Sequence, residues 1–165
     1  MPACRPPKPA LRRVLHTARS GVRAALIALC VSLLSGCGAA PLPPEFGRID
    51  GLQIEDTRAG EGAPAQTGER LRVHYRGFVY DQRAEGGRGP KFDESYARGE
   101  PFEFVLGAGQ VIRGWDQGFE GLKVGGARIL RMGPEFGYGE RGAGSVIPPG
   151  ASLLFEVELI ATSDG

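Results

Sequence analysis

The chain has little that could crosslink it, bind a metal or perform nucleophilic chemistry. Its 165 residues hold three cysteines, two histidines and one tryptophan. All three cysteines (Cys4, Cys30, Cys37) fall in the first 37 residues, so the remainder has no thiol for a disulfide framework or a cysteine-based metal site. With His16 near the start and His74 beside arginines, no nucleophile-base-acid triad can be assembled from the pattern. Long hydrophobic runs are absent too. The longest, residues 24–34, is uncharged and 11 residues long, where a spanning helix needs about 20. Acidic residues are missing from the first 36 positions, which carry Arg5, Lys8, Arg12, Arg13, Arg19 and Arg23. The rest of the chain is mildly acidic, with 14 Lys/Arg against 19 Asp/Glu, and therefore lacks the electrostatic footprint of a nucleic-acid binder. No internal repeat is present.

A basic stretch followed by a short apolar run reads as a secretory signal peptide over residues 1–36. The run closes on Leu34-Ser35-Gly36-Cys37, which resembles the box of bacterial lipoproteins, with Cys37 as the lipidated residue. Cleavage without lipid is the alternative. Two acyl chains suffice for stable attachment, at about 0.8 kcal/mol per buried CH₂. The expected site is the cell envelope. Gly38, in place of an Asp tied to inner-membrane retention, points to the periplasmic face of the outer membrane in a two-membrane cell. Residues 37–50, rich in Pro and small side chains, read as the lipidated cysteine and its tether. Residues 51–162 read as the folded domain.

Glycine is abundant, 27 residues, and favours a turn-rich β architecture. Period-2 alternation marks strands. Leu71, Val73 and Tyr75 alternate with arginines and His74, which places His74 on a solvated face. Phe102, Phe104 and Leu106 form a second strand, and Leu153, Phe155, Val157 and Leu159 a third. Residues 52–59 and 127–132 are weaker candidates. One segment has helical spacing: Val111, Trp115, Phe119 and Leu122. Its glycines Gly114, Gly118 and Gly121 each cost up to about 1 kcal/mol, so this helix needs a sheet to pack on. The predicted class is α+β, an antiparallel sheet wrapped around one short helix. Gly107-Ala108-Gly109 opens a dinucleotide-like glycine pattern, but its spacing to Gly114 and the lack of a βαβ unit rule that out.

Several segments carry a resemblance together: Val73-His74-Tyr75-Arg76-Gly77, Lys91-Phe92-Asp93-Glu94-Ser95, Pro101 to Gly107, and Val111-Ile112-Arg113-Gly114-Trp115. Phe136-Gly137-Tyr138-Gly139, Ile147-Pro148-Pro149-Gly150-Ala151 and Leu154 to Leu159 come after them in order. Between Gly51 and Ile160 the chain resembles the FKBP-type peptidyl-prolyl cis-trans isomerases, which bind the macrolide tacrolimus. The resemblance implies a five- to six-stranded antiparallel half-barrel around a short helix, with an apolar pocket for proline. Carried over, the catalytic positions are Asp93, Trp115, Tyr138 and Phe155. Tyr75, Phe92, Phe102, Val111, Ile112 and Ile147 complete the substrate site. Trp115 would form the floor, while the Ile112 N–H and the Tyr138 hydroxyl would donate hydrogen bonds to the ligand. Asp93 would orient Tyr138 and polarise the amide; an ordinary turn aspartate is the other reading of it. Proline-containing polypeptides would be the clients and macrolides such as tacrolimus further ligands, with no cofactor or metal. The rival class is a binding module that docks proline without turning it over. Three departures bear on specificity: Ala143-Gly144 in place of His-Pro, Gln110 in place of an acid, and a long, mobile loop over 80–91.

The chemistry suits such a set. The X–Pro bond rotates over a barrier of about 18–20 kcal/mol because resonance places negative charge on the carbonyl oxygen, and water stabilises that charge. A dry aromatic hollow withdraws the stabilisation and favours the less polar twisted amide. A reduction of about 6 kcal/mol would correspond to roughly four decades in rate.

Overall fold

The computed structural model describes residues 46–163. The signal peptide, Cys37 and the first part of the tether lie outside these residues. Six strands, β1 (Leu52–Arg58), β2 (Arg70–Tyr80), β3 (Arg88–Glu94), β4 (Phe102–Val105), β5 (Ala127–Met132) and β6 (Leu153–Ser163), and one helix, α1 (Arg113–Gly118), make up the domain.

All strand pairings are antiparallel, in the order β1-β5-β6-β2-β3, with β4 also on β2. The central strand β2 carries the clearest alternation: Leu71, Val73, Tyr75, Gly77 and Val79 are buried and the residues between them less so. Its edge away from β6 is divided. Arg70 to Val73 pair with β4, whereas Arg76 to Tyr80 pair with β3. The change of partner falls at Tyr75, whose N–H and C=O bond to Ser95 instead.

The concave face closes on α1. Trp115 and Phe119 pack with Phe104 in a cluster whose ring centroids lie 5.4–5.6 Å apart. The helix is shorter than the apolar spacing over 111–122 suggests, because Gly121 turns the chain at φ 71°. Its glycines have a packing role that helix propensity alone hides. A Cβ on Gly118 would sit 2.6 and 2.8 Å from the two methyl carbons of Leu130, and one on Gly114 would sit 2.4 Å from the Met132 sulfur. These residues let α1 lie directly on β5. Asp116, in the first turn, accepts the amides of Gly107 (2.9 Å) and Gly109 (3.2 Å) and ties the preceding turn to the helix.

Gly118→Ala tests this close approach. Helix propensity favours alanine by about 1 kcal/mol, but overpacking against a fully buried Leu130 costs about 1–3 kcal/mol. A net loss of up to about 2 kcal/mol is expected from urea unfolding.

The structure corrects four sequence expectations. The segment 80–91, read as a loop, carries regular structure: Glu85 to Gly87 form a 3₁₀ turn, and Arg88 to Lys91 belong to β3, which joins β2 through two register shifts. The tether does not extend to residue 50, since Ile49 is buried and its N–H donates to Ser152 Oγ at 2.9 Å. His74 is not solvated; it is half-buried, stacks on Tyr96 at 4.6 Å, and its Nδ1 lies 2.9 Å from Ser95 Oγ. Ile147, expected in the pocket, belongs to the same buried cluster as Tyr75, Trp115 and Phe155 but is absent from the pocket lining. Among the described residues no helix is long and apolar enough to cross a membrane.

Candidate functional site

Where β2 changes partners, aromatic side chains from four strands surround the indole of Trp115. Tyr75 comes from β2, Phe92 from β3, Phe102 from β4 and Phe155 from β6. Their placement follows strand parity: each side chain faces the concave side, where α1 leaves a gap. Tyr75, Phe102 and Phe155 stand at 76–81° to the indole, with centroids 5.0–5.9 Å from it. Phe92 meets Phe155 edge-on at 5.6 Å. The indole is therefore a floor and the other rings are walls, in the edge-to-face arrangement that aromatic quadrupoles prefer. They enclose a hollow of about 410 Å³, completed by Asp93, Gln110, Val111, Ile112 and Tyr138. That volume suits a small ligand or a short peptide segment.

The floor is dry. Trp115 is only 4% exposed, and its Nε1 is buried without a hydrogen-bond partner among the described residues. The tryptophan is also the chain's only one.

Charge enters at the rim. Asp93 Oδ2 accepts a hydrogen bond from the Tyr75 hydroxyl, and Oδ1 accepts from Arg98 Nη1 at 2.7 Å and from the Glu94 amide at 2.8 Å. Arg98 Nη2 donates to the Tyr75 oxygen at 2.8 Å, closing a triangle. Burial would raise the Asp93 carboxyl, but donation from Tyr75 and Arg98 outweighs it and holds the group below the ordinary carboxylate range. Burial, reinforced by the Asp93 charge, raises both Tyr75 and Tyr138 above the usual phenol value. Both hydroxyls therefore remain protonated donors at neutral pH.

Two groups are left free to meet a ligand. The Tyr138 hydroxyl and the Ile112 N–H make no hydrogen bond among the described residues, and both residues line the hollow. Ile112 precedes α1 in extended backbone (φ −62°, ψ 148°).

Nine of the ten expected site residues lie around this hollow: Asp93, Trp115, Tyr138, Phe155, Tyr75, Phe92, Phe102, Val111 and Ile112. Ile147 does not. At 4% exposure it packs into the core, held by paired backbone hydrogen bonds with Ala143 (2.9 and 3.1 Å). The hydrogen bonds of Asp93 go to residues other than Tyr138. It holds Tyr75 and Arg98, and only its charge reaches Tyr138. Sequence reasoning misses Arg98, which lies five residues beyond Asp93 in the 3₁₀ turn Tyr96–Arg98, a segment with no periodic signal. Gln110, in sequence only a departure from the family, lines the hollow while its Oε1 accepts the Val105 amide at 3.0 Å.

Comparisons with known proteins agree with this geometry. The family model described as FKBP-type peptidyl-prolyl cis-trans isomerase matches residues 61–160. An FK506-binding protein of Neisseria meningitidis serogroup B is 50% identical over 112 residues, covering 68% of this chain and 96% of that protein. The peptidyl-prolyl cis-trans isomerase FKBP15-2 of Arabidopsis thaliana is 40% identical over 148 residues, 88% of this chain and 85% of its own. The crystal structure of AtFKBP13 superposes with a TM-score of 0.59 at 41% identity, covering 68% of this chain and 93% of that one.

Proposed function

The chain belongs to the FKBP-type peptidyl-prolyl cis-trans isomerases, and from that premise we propose that it accelerates X–Pro rotation in polypeptides folding in the cell envelope. The observation that carries the site assignment is the hollow over Trp115, walled by Tyr75, Phe102 and Phe155.

The proline ring enters the hollow and rests on the indole, so the preceding amide leaves water. In water the planar amide gains from solvation of its carbonyl oxygen; among aromatic faces that gain is lost, and the twisted amide, with less charge separation, falls in relative energy. The Ile112 N–H and the Tyr138 hydroxyl hold the peptide at the rim. Asp93 and Arg98 keep the Tyr75 wall in place while neutralising each other, so no lone charge faces the apolar hollow. Catalysis by this route requires no proton transfer and no covalent intermediate. Macrolides such as tacrolimus are proposed as competing ligands of the same hollow.

The envelope placement rests on residues ahead of the described domain. The apolar run 24–34 and Leu34-Ser35-Gly36-Cys37 support secretion and acylation at Cys37. The outer membrane's periplasmic face is the proposed location in a two-membrane cell.

A protease-coupled assay on an X-Pro peptide tests the activity. Excess rate, suppressed by tacrolimus, supports catalysis; binding with no excess rate leaves only a docking module. Metabolic labelling with an alkyne fatty acid tests the anchor. Label should enter the wild-type chain and be lost in Cys37→Ser, and label retained in that variant contradicts the assignment.

A further inference from the structure

Tyr138 stands at the rim, 39% exposed, and its hydroxyl is held by nothing among the described residues, so its place depends on the backbone that carries it. Downstream, Gly139 O accepts the amides of Gly142 (3.3 Å) and Gly150 (3.1 Å). Upstream lies the 3₁₀ turn Pro134–Phe136, closed by Phe136 N to Gly133 O (3.0 Å) and Gly137 N to Pro134 O (3.0 Å).

That turn is gripped by residues 46–51, a stretch whose sequence reads mostly as a loose tether and which precedes the family match. Gly51 bonds in both directions: its carbonyl accepts the Gly133 amide at 2.8 Å, and its amide donates to Glu135 Oε1 at 3.0 Å. Its φ of +72° suits glycine. The Ile49 carbonyl lies 2.5 Å from where a Gly133 Cβ would be, so the two backbones meet without room for a side chain. The grip is anchored further back. Ile49 is 7% exposed and donates to Ser152 Oγ, Phe46 packs on the core, and the Phe46 carbonyl accepts the Gln82 amide at 3.3 Å. On its other side the turn meets α1, where the Arg113 guanidinium lies 5.0 Å over the Phe136 ring.

We propose that Phe46–Gly51 is a brace that positions Tyr138 for the bound peptide, with Glu135 as the positioning residue between brace and turn. The proposal rests on the reading that Tyr138 donates to the ligand. An exposed carboxylate accepting one amide contributes little to global stability, but its loss frees the turn two residues before Tyr138 to move. The expected consequence is weaker peptide binding rather than slower rotation once the peptide is bound.

The full chain, labelled with 3-fluorotyrosine, tests the proposal; its four tyrosines give four signals, and Tyr138→Phe identifies one of them. In Glu135→Ala the Tyr138 signal should shift or broaden while the Tyr75 signal stays, and KM should rise roughly fivefold with kcat unchanged. Glu135→Gln, which keeps a carbonyl acceptor, should restore both. Ser152→Ala, which releases the Ile49 amide, should act in the same direction as Glu135→Ala. A Glu135→Ala protein whose Tyr138 signal and KM match wild type overturns the brace, even if its melting point falls. Wild-type chain without isomerase activity would instead overturn the functional reading, and the fluorine signal would still decide the brace.

Discussion

Trp115→Ala is expected to lower stability by about 3–5 kcal/mol and kcat/KM by roughly ten- to a hundredfold. Both losses have one origin. The indole is 4% exposed and meets Tyr75, Phe102, Phe104, Phe119 and Phe155 within 6 Å, so its removal empties the centre of the core. The same removal takes away the surface on which proline rests and admits water to the hollow. A domain of this size is typically stable by about 5–15 kcal/mol, so the variant should fold at low temperature. Urea unfolding followed by far-ultraviolet circular dichroism measures the first loss and the peptide assay the second. Trp115→Phe separates them, since a smaller ring should recover much of the stability and less of the activity. Wild-type activity in a destabilised Trp115→Ala protein would refute the floor assignment.

Asp93→Ala should do the opposite, sparing the fold and weakening turnover. The carboxylate side chain is 44% exposed, so its pairing with Arg98 adds little global stability. What it holds is the Tyr75 hydroxyl on one wall of the hollow. Charge-assisted hydrogen bonds are worth about 1.5–3 kcal/mol when desolvated; discounted for this exposure, a loss of roughly tenfold in kcat/KM is expected. The pH dependence has a definite sign. Because the folded carboxyl lies below its ordinary value, its contribution is fully present above the unfolded value of about 4 and is lost as pH falls through the lower folded value. Wild-type activity should be flat from about pH 5 to 8, and a stability decrement attributable to Asp93 should appear only in stronger acid. An activity limb near neutral pH that disappears in Asp93→Ala would contradict this.

How legible the molecule is in its sequence varies with the kind of interaction that fixes each part. β2 and β6 are plain, since Leu71, Val73, Tyr75 and Phe155, Val157, Leu159 each point to a face that is buried or not. β3 is invisible. It pairs through two register shifts, and its run Arg-Gly-Pro-Lys-Phe-Asp-Glu shows no alternation. The helix is found by Trp115 and Phe119 but overextended, since apolar spacing does not reveal where Gly121 turns the chain. The glycines of α1 look like defects in a helix and are contacts with Leu130 and Met132.

Much of the hollow is readable, because nine residues named from the resemblance converge on it. The errors concern side chains whose direction is set by turns. Ile147 sits in a paired bend that sends it into the core, a parity that no strand pattern supplies. Arg98 reaches Asp93 from a 3₁₀ turn. Phe46 to Asp50 read as tether because they come after a Pro-rich stretch and their partners, Gln82 and Ser152, lie far along the chain.

Because Trp115 is the only tryptophan, its indole fluorescence reports on the hollow alone. The decisive measurement is a single titration of the full chain with an X-Pro peptide, following that emission and the cis-trans exchange rate together. If isomerisation occurs over the indole, both saturate at the same peptide concentration and tacrolimus removes both. An exchange rate that saturates while the Trp115 emission stays unchanged would place the reaction elsewhere.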